Sequence, residues 1–241
     1  MSVWKAELIK MKHSPWWLLF LILPCMPAAM GTINYLNNLE LLKSGWYSLW
    51  TQETLFYTNL FFGPMIGLCC AYQWRMEHKG KNWNQFLSLP QSRIKLFGAK
   101  VLLALVVTIG IQAWVAILYF VSGKMVHLSG MIPKEILFWL VRGTFGGLTI
   151  ACTQSYLSMK IKNFSIPIIL AFLGSIIGLL ISNKGWGVYW PYSLMLLGMN
   201  ANKIDNMLSG SEVGFYLSCL LYFLLFFGLA VCSLKRKDVH C

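Results

Sequence analysis

Apolar residues arrive in long unbroken stretches separated by short polar segments, with neither the alternation of a strand nor the narrow stripe of a surface helix. Six stretches run close to the roughly 20 residues that carry a helix across about 30 Å of hydrocarbon at about 1.5 Å per residue. They are Trp16–Ile33, Leu55–Tyr72, Val101–Val121, Ile136–Leu157, Ile166–Ile181 and Val213–Cys232. The pattern predicts an all-α integral membrane protein whose 241 residues form a single membrane domain. Two connecting segments have their own character. Residues 73–100 are long, basic and contain the candidate short helix Asn82–Leu89, which ends before Pro90. Residues 182–212 carry an amphiphilic core, Tyr189–Met199, too short to span and predicted to be re-entrant or interfacial.

Composition agrees. The chain is 57% apolar and 12% charged, against about 25% charged in soluble domains. A net charge of +12 would point to nucleic acid in a soluble protein. Here the basic residues sit between apolar stretches, where they meet anionic headgroups and set orientation, so nucleic-acid binding is set aside. With the N-terminus inside, the inner segments hold fourteen of the 20 basic residues. These are Lys5, Lys10, Lys12, Arg75, Lys79, Lys81, Arg93, Lys95, Lys100, Lys160, Lys162, Lys235, Arg236 and Lys237. The outer segments hold five, Lys43, Lys124, Lys134, Lys184 and Lys203, and Arg142 lies within a span. Both termini are therefore expected in the cytoplasm. The basic leader before the first span resembles that of a signal peptide, but Pro24 and Pro27 crowd any cleavage point, and a retained span is the expectation.

The chemistry is sparse. No phosphate-cradling Walker A loop, zinc-protease motif or nucleophile elbow occurs, and the seven cysteines and four histidines form no ligand-spaced cluster. None of the eight carboxylates falls centrally in a predicted span, which weighs against a proton-driven carrier and an intramembrane hydrolase. Arg142 must face protein or water. It is either a polar point on a substrate path or a partner of Glu135, Glu53 or Asp205. Gln112 and Gln154 are either path residues or interhelical hydrogen-bonding groups. Trp186, Tyr189, Trp190 and Tyr192 suit the headgroup zone. Gly63/Gly67, Gly143/Gly147 and Gly174/Gly178 allow close helix packing. The opening fourteen residues read as an amphipathic interfacial helix, with Val3, Trp4, Leu8 and Met11 on one side, contacting either lipid or a partner protein. Within Asn82–Leu89, Trp83, Phe86 and Leu87 would form an apolar patch, either lying on the membrane or docking a protein.

One block is more specific: Glu77, Trp83, Leu87, Pro90, Ser92, Arg93 and Lys100, spaced E-x5-W-x3-L-x2-P-x-S-R-x6-K. It resembles the first cytoplasmic loop of ABC-2 type permeases, and within them the permease subunits of lantibiotic immunity transporters of the mutacin, epidermin, nisin and subtilin type. The opening Ala6–Lys12, A-E-L-I-K-x-K, resembles the start of the same family, as does the six-span layout. The resemblance implies a permease pair, alike or unlike, above two cytoplasmic ABC ATPase subunits that bind the ATP and Mg²⁺. This chain would need no cofactor and perform no hydrolysis. Glu77, Asn82, Trp83, Phe86, Leu87 and Pro90 would couple it to the ATPase. The implied cargo is an antimicrobial peptide, with Arg142, Gln112, Gln154, Trp186 and Trp190 as candidate path residues. Export of a drug or lipid is the alternative, and a polytopic scaffold or membrane enzyme without transport is the reading from another class.

Overall fold

The structure is a computed structural model, and it describes residues 3–12, 17–79, 92–203 and 211–236. Among them the secondary structure is helical throughout. A short N-terminal helix, α1 (Val3–Lys12), precedes six helices long and apolar enough to cross a membrane. These are α2 (Trp17–Asn37), α3 (Trp46–His78), α4 (Arg93–Met125), α5 (Lys134–Lys160), α6 (Ser165–Asn183) and, after a short α7 (Leu194–Gly198), α8 (Glu212–Lys235). An even number of crossings puts α1 and the last turn of α8 at one end, called here the terminal end; the α2–α3, α4–α5 and α6–α8 connections lie at the distal end.

α3, α4, α5, α6 and α8 each contain their predicted apolar stretch, and α2 contains all of its own but Trp16, which lies outside the described residues. α3 and α4 extend well beyond theirs. α4 begins at Arg93 rather than Val101, capped by Ser92, whose hydroxyl accepts from the Lys95 amide at 3.3 Å. α2 is interrupted between Ile22 and Cys25, where Pro24 cannot donate a backbone bond. The largest departure is α3, which starts at Trp46 rather than Leu55 and contains one π-helical turn at Tyr57–Phe61. Its distal third, W-Y-S-L-W-T-Q-E-T, reads as loop because it is polar. It is helical because other helices, not lipid, surround it: Ser48, Thr51, Gln52, Glu53 and Thr54 are all buried. Glu53 therefore lies within α3, in its distal third, although no carboxylate is central in a span among the described residues.

α3 and α5 form the centre of the bundle, each 67% buried over its most apolar window, against 22% for α2 and α8. At the distal end an aromatic cluster ties α3, α4 and α5 together. The Trp50 ring lies 5.1 Å from Tyr119 and 6.1 Å from Trp139, centroid to centroid. At the terminal end the Trp74 indole donates to Ser155 Oγ at 3.0 Å, and His78 Nε2 lies 3.0 Å from the Ser158 carbonyl.

Candidate functional site

The two sequence blocks that carry the resemblance meet in space. Glu7 and Lys10 come from α1, Glu77 from the last turn of α3, and Lys100 from the second turn of α4. Lys100 Nζ is fully buried and lies 2.8 Å from Glu7 Oε2, 3.0 Å from Glu77 Oε1 and 3.2 Å from the Gln73 carbonyl, so its three protons each have an acceptor. It also sits 5.0 Å above the Trp74 ring. Lys10 Nζ completes the group at 2.9 Å from Glu7 Oε1 and 2.6 Å from Glu77 Oε1. Two acids and two bases make a neutral cluster.

Its electrostatics follow from burial and pairing. Burial pushes the Glu7 carboxyl up, but Lys100 and then Lys10 together outweigh it and hold the group below its ordinary range. Burial pulls Lys10 down, but its bonds to Glu77 and Glu7 leave it above the ordinary lysine value. In such a cluster, removing one partner costs about 3–5 kcal/mol, because an uncompensated charge is left behind.

This cluster, a clamp that joins α1, α3 and α4, bears on the reading of two elements. α1 docks on the bundle through the charges of Glu7 and Lys10 as well as through Val3 and Met11, while Leu8 of the apolar side and Ile9 are exposed. Glu77, assigned by resemblance to ATPase coupling, is buried at the root of the following loop. The other members of that set, Asn82, Trp83, Phe86, Leu87 and Pro90, lie outside the described residues.

A second constellation surrounds residues 187–201, which turn back between the distal halves of α3, α5, α6 and α8. Two 3₁₀ turns, Gly187–Tyr189 and Pro191–Ser193, lead into α7. Leu194, Met195 and Met199 are wholly buried. The backbone fits only because α5 offers glycine there: a Cβ on Gly146 would lie 2.5 Å from the Leu194 carbonyl. Polar side chains anchor the segment along its length. The Trp50 indole donates to the Met199 carbonyl at 2.9 Å, Arg142 Nε donates to Gly198 O at 2.9 Å, and the Trp190 indole donates to Gly174 O at 2.8 Å. Gln154 donates to the Tyr192 hydroxyl.

Most of the candidate path residues thus gather around this segment. Gln112 joins through its bond to the Leu140 carbonyl at 3.3 Å and the Tyr57 hydroxyl at 3.4 Å, and its amide borders the same Gly143–Met199 contact. Trp186 does not join; it is 68% exposed. Of the expected acidic partners of Arg142, Glu53 lies elsewhere and Glu135 accepts from the Tyr47 hydroxyl at 3.0 Å; Asp205 lies outside the described residues. The acid beside Arg142 is Glu212, with Oε1 3.6 Å from Nη1. Sequence reasoning noted Glu7, Lys10, Glu77 and Lys100 separately, but nothing in their spacing joined positions 93 residues apart.

Residues 3–178 match the family model described as ABC-2 family transporter protein. No curated protein and no solved structure matches the chain. The matched stretch takes in α1, both flanks of the 80–91 segment and therefore the whole clamp. With six apolar helices and a match over most of its length, the chain is a multi-pass membrane protein that belongs to the ABC-2 transporter family, the membrane subunit of an ABC transporter, for which that family implies an ABC ATPase partner.

Proposed function

We propose that this subunit is the membrane half of an ATP-driven exporter that expels an antimicrobial peptide of the lantibiotic type and so protects the cell that makes it. The terminal end faces the cytoplasm, where residues 80–91 meet the ATPase through Asn82, Trp83, Phe86, Leu87 and Pro90. A second permease subunit, alike or unlike, completes the membrane part. The observation that carries this reading is the clamp. Glu77 and Lys100 flank the 80–91 segment from α3 and α4, and Glu7 and Lys10 bind both. A push on that segment reaches the ends of three helices at once.

The distal segment 187–201 supplies the other half of the reading. Its anchors, Arg142, Gln154 and Trp190, are the polar contacts that release it when α5 and α6 shift, Gln112 stands beside them, and exposed Trp186 and Tyr189 (68% and 74% accessible) meet an amphiphilic cargo at the surface. Replacing Trp83 and Phe86 together by Ala is the direct test. The variant should reach the membrane normally, keep basal ATPase activity in the complex and lose peptide resistance. Resistance equal to wild type would remove the coupling assignment.

A second reading, export of a lipid or apolar drug, draws on the cleft between α4 and α5. It has a volume of about 400 Å³ and is lined by Leu105, Ile109, Val141, Thr144, Phe145 and Leu148. Resistance assays with a cationic lantibiotic and with a neutral lipophilic drug separate the two.

A further inference from the structure

Glu53 takes no part in the clamp or in the anchoring of segment 187–201. It is 3% exposed and faces α2 where that helix carries Gly31; a Cβ there would lie 2.4 Å from Glu53 Cα. The two helices leave no room for water at that point. A buried carboxylate needs a cation or several donors to stay ionised. Among the described residues, no lysine or arginine lies within 4.0 Å of it. Residues 204–210 contain no basic side chain.

The groups its neighbours present are mostly neutral and mostly committed. On α4, the Tyr119 hydroxyl donates to the Trp46 carbonyl at 2.6 Å. Lys124 of the same helix binds the Gly130 carbonyl at 3.4 Å and lies over the Trp46 and Phe120 rings. On α3 itself, Tyr57 donates to Gln112 and Tyr47 to Glu135. On α2, Asn34 donates to Gln52 Oε1 at 2.6 Å. Thr32 of α2 and Ser122 of α4 remain against the carboxyl.

Thr32 decides the matter by proton counting. Its Oγ1 lies 2.8 Å from the Ala28 carbonyl and 3.2 Å from Glu53 Oε1. A hydroxyl has one proton to give, and a carbonyl can only accept. Both contacts are hydrogen bonds at once only if Thr32 gives its proton to Ala28, the nearer acceptor, and turns a lone pair toward Glu53. Two acceptors in contact repel, whereas a carboxylic acid would donate across the gap. We propose that Glu53 is a proton-binding site, held as a neutral acid whose O–H donates to Thr32 and joins the distal ends of α2, α3 and α4. When α2 parts from α3, the O–H bond breaks, the proton passes to water and the carboxylate is hydrated. Closure takes the proton back.

The test uses the full chain in lipid nanodiscs at neutral pH, read by infrared spectroscopy. The wild-type spectrum should contain a carboxylic-acid C=O band that is absent from Glu53→Gln, whose amide keeps one donor and one acceptor in place. Thr32→Val, which removes the acceptor and keeps the carboxyl, should shift that band to higher frequency. The melting temperature of wild type should fall from neutral to alkaline pH more steeply than that of Glu53→Gln. Should Glu53→Gln fail to fold, the Thr32→Val shift decides alone. A spectrum without such a band, or a band indifferent to both substitutions, overturns the proposal.

Discussion

At the residue scale, Lys100 is the side chain with most to lose. It is fully buried, and both acids of the clamp bind it. Lys100→Met keeps the apolar stem beside Trp74 but leaves two buried carboxylates to share Lys10. The expected loss is about 3–5 kcal/mol, read as a lowered melting temperature in detergent. Glu7→Gln with Lys100→Met removes one charge of each sign and should cost less than Lys100→Met alone. The pH dependence follows from the directions of the shifts. Glu7 is held below its ordinary value in the folded chain, so its contribution is fully present above an unfolded value of about 4.3 and is lost as pH falls through the lower, folded value. Lys10 is held above its ordinary value, so its contribution is present below about 10.4 and is lost as pH rises through the higher, folded value. Docking of α1 should therefore be flat between these limits and weaken outside both, followed through the fluorescence of Trp4.

At the element scale, the test is whether segment 187–201 depends on the glycine face of α5. Gly146→Val places a branched side chain against the Leu194 backbone, which cannot move aside as a flexible side chain would. Overpacking of this kind costs about 1–3 kcal/mol or displaces the segment. Gly110→Ala on α4 is the matched control, since a Cβ there meets nothing within 4 Å and helix propensity alone favours Ala. A Met195→Cys probe, buried in the parent, should become reactive in Gly146→Val and stay silent in Gly110→Ala. The same elements explain what hydropathy could and could not read. A helix that faces lipid must be apolar, so the stretches in α4, α6 and α8 announced themselves. A helix surrounded by other helices is free to be polar, and so the distal third of α3, with Gln52 and Glu53, read as loop. Tyr189–Met199 stood out as re-entrant or interfacial because an apolar stretch of that length is too short to cross. Its partners did not, because Trp50–Met199 and Gln154–Tyr192 join residues whose separation in sequence carries no periodic signal. The clamp was half legible: each acid and base was noted within its own motif, and only the fold pairs them.

At the scale of the whole molecule, function turns on which side of the membrane the clamp faces. An even number of crossings commits both termini to one side, and fourteen of the 20 basic residues belong to segments at that end or beside it. Translocating those charges is opposed, so the terminal end should remain in the cytoplasm. The proposed coupling asks for the same side, since an ATPase could act on residues 80–91 only from inside. Single-cysteine variants in a background stripped of the seven native cysteines test both arguments at once. Trp83→Cys should resist a membrane-impermeant maleimide in intact cells and react after permeabilisation. Met131→Cys, in the α4–α5 connection and 91% exposed, should react in intact cells. Were Trp83→Cys labelled from outside, the clamp would face away from any source of ATP, and the basic residues would have failed to orient a chain whose charge distribution leaves little other choice.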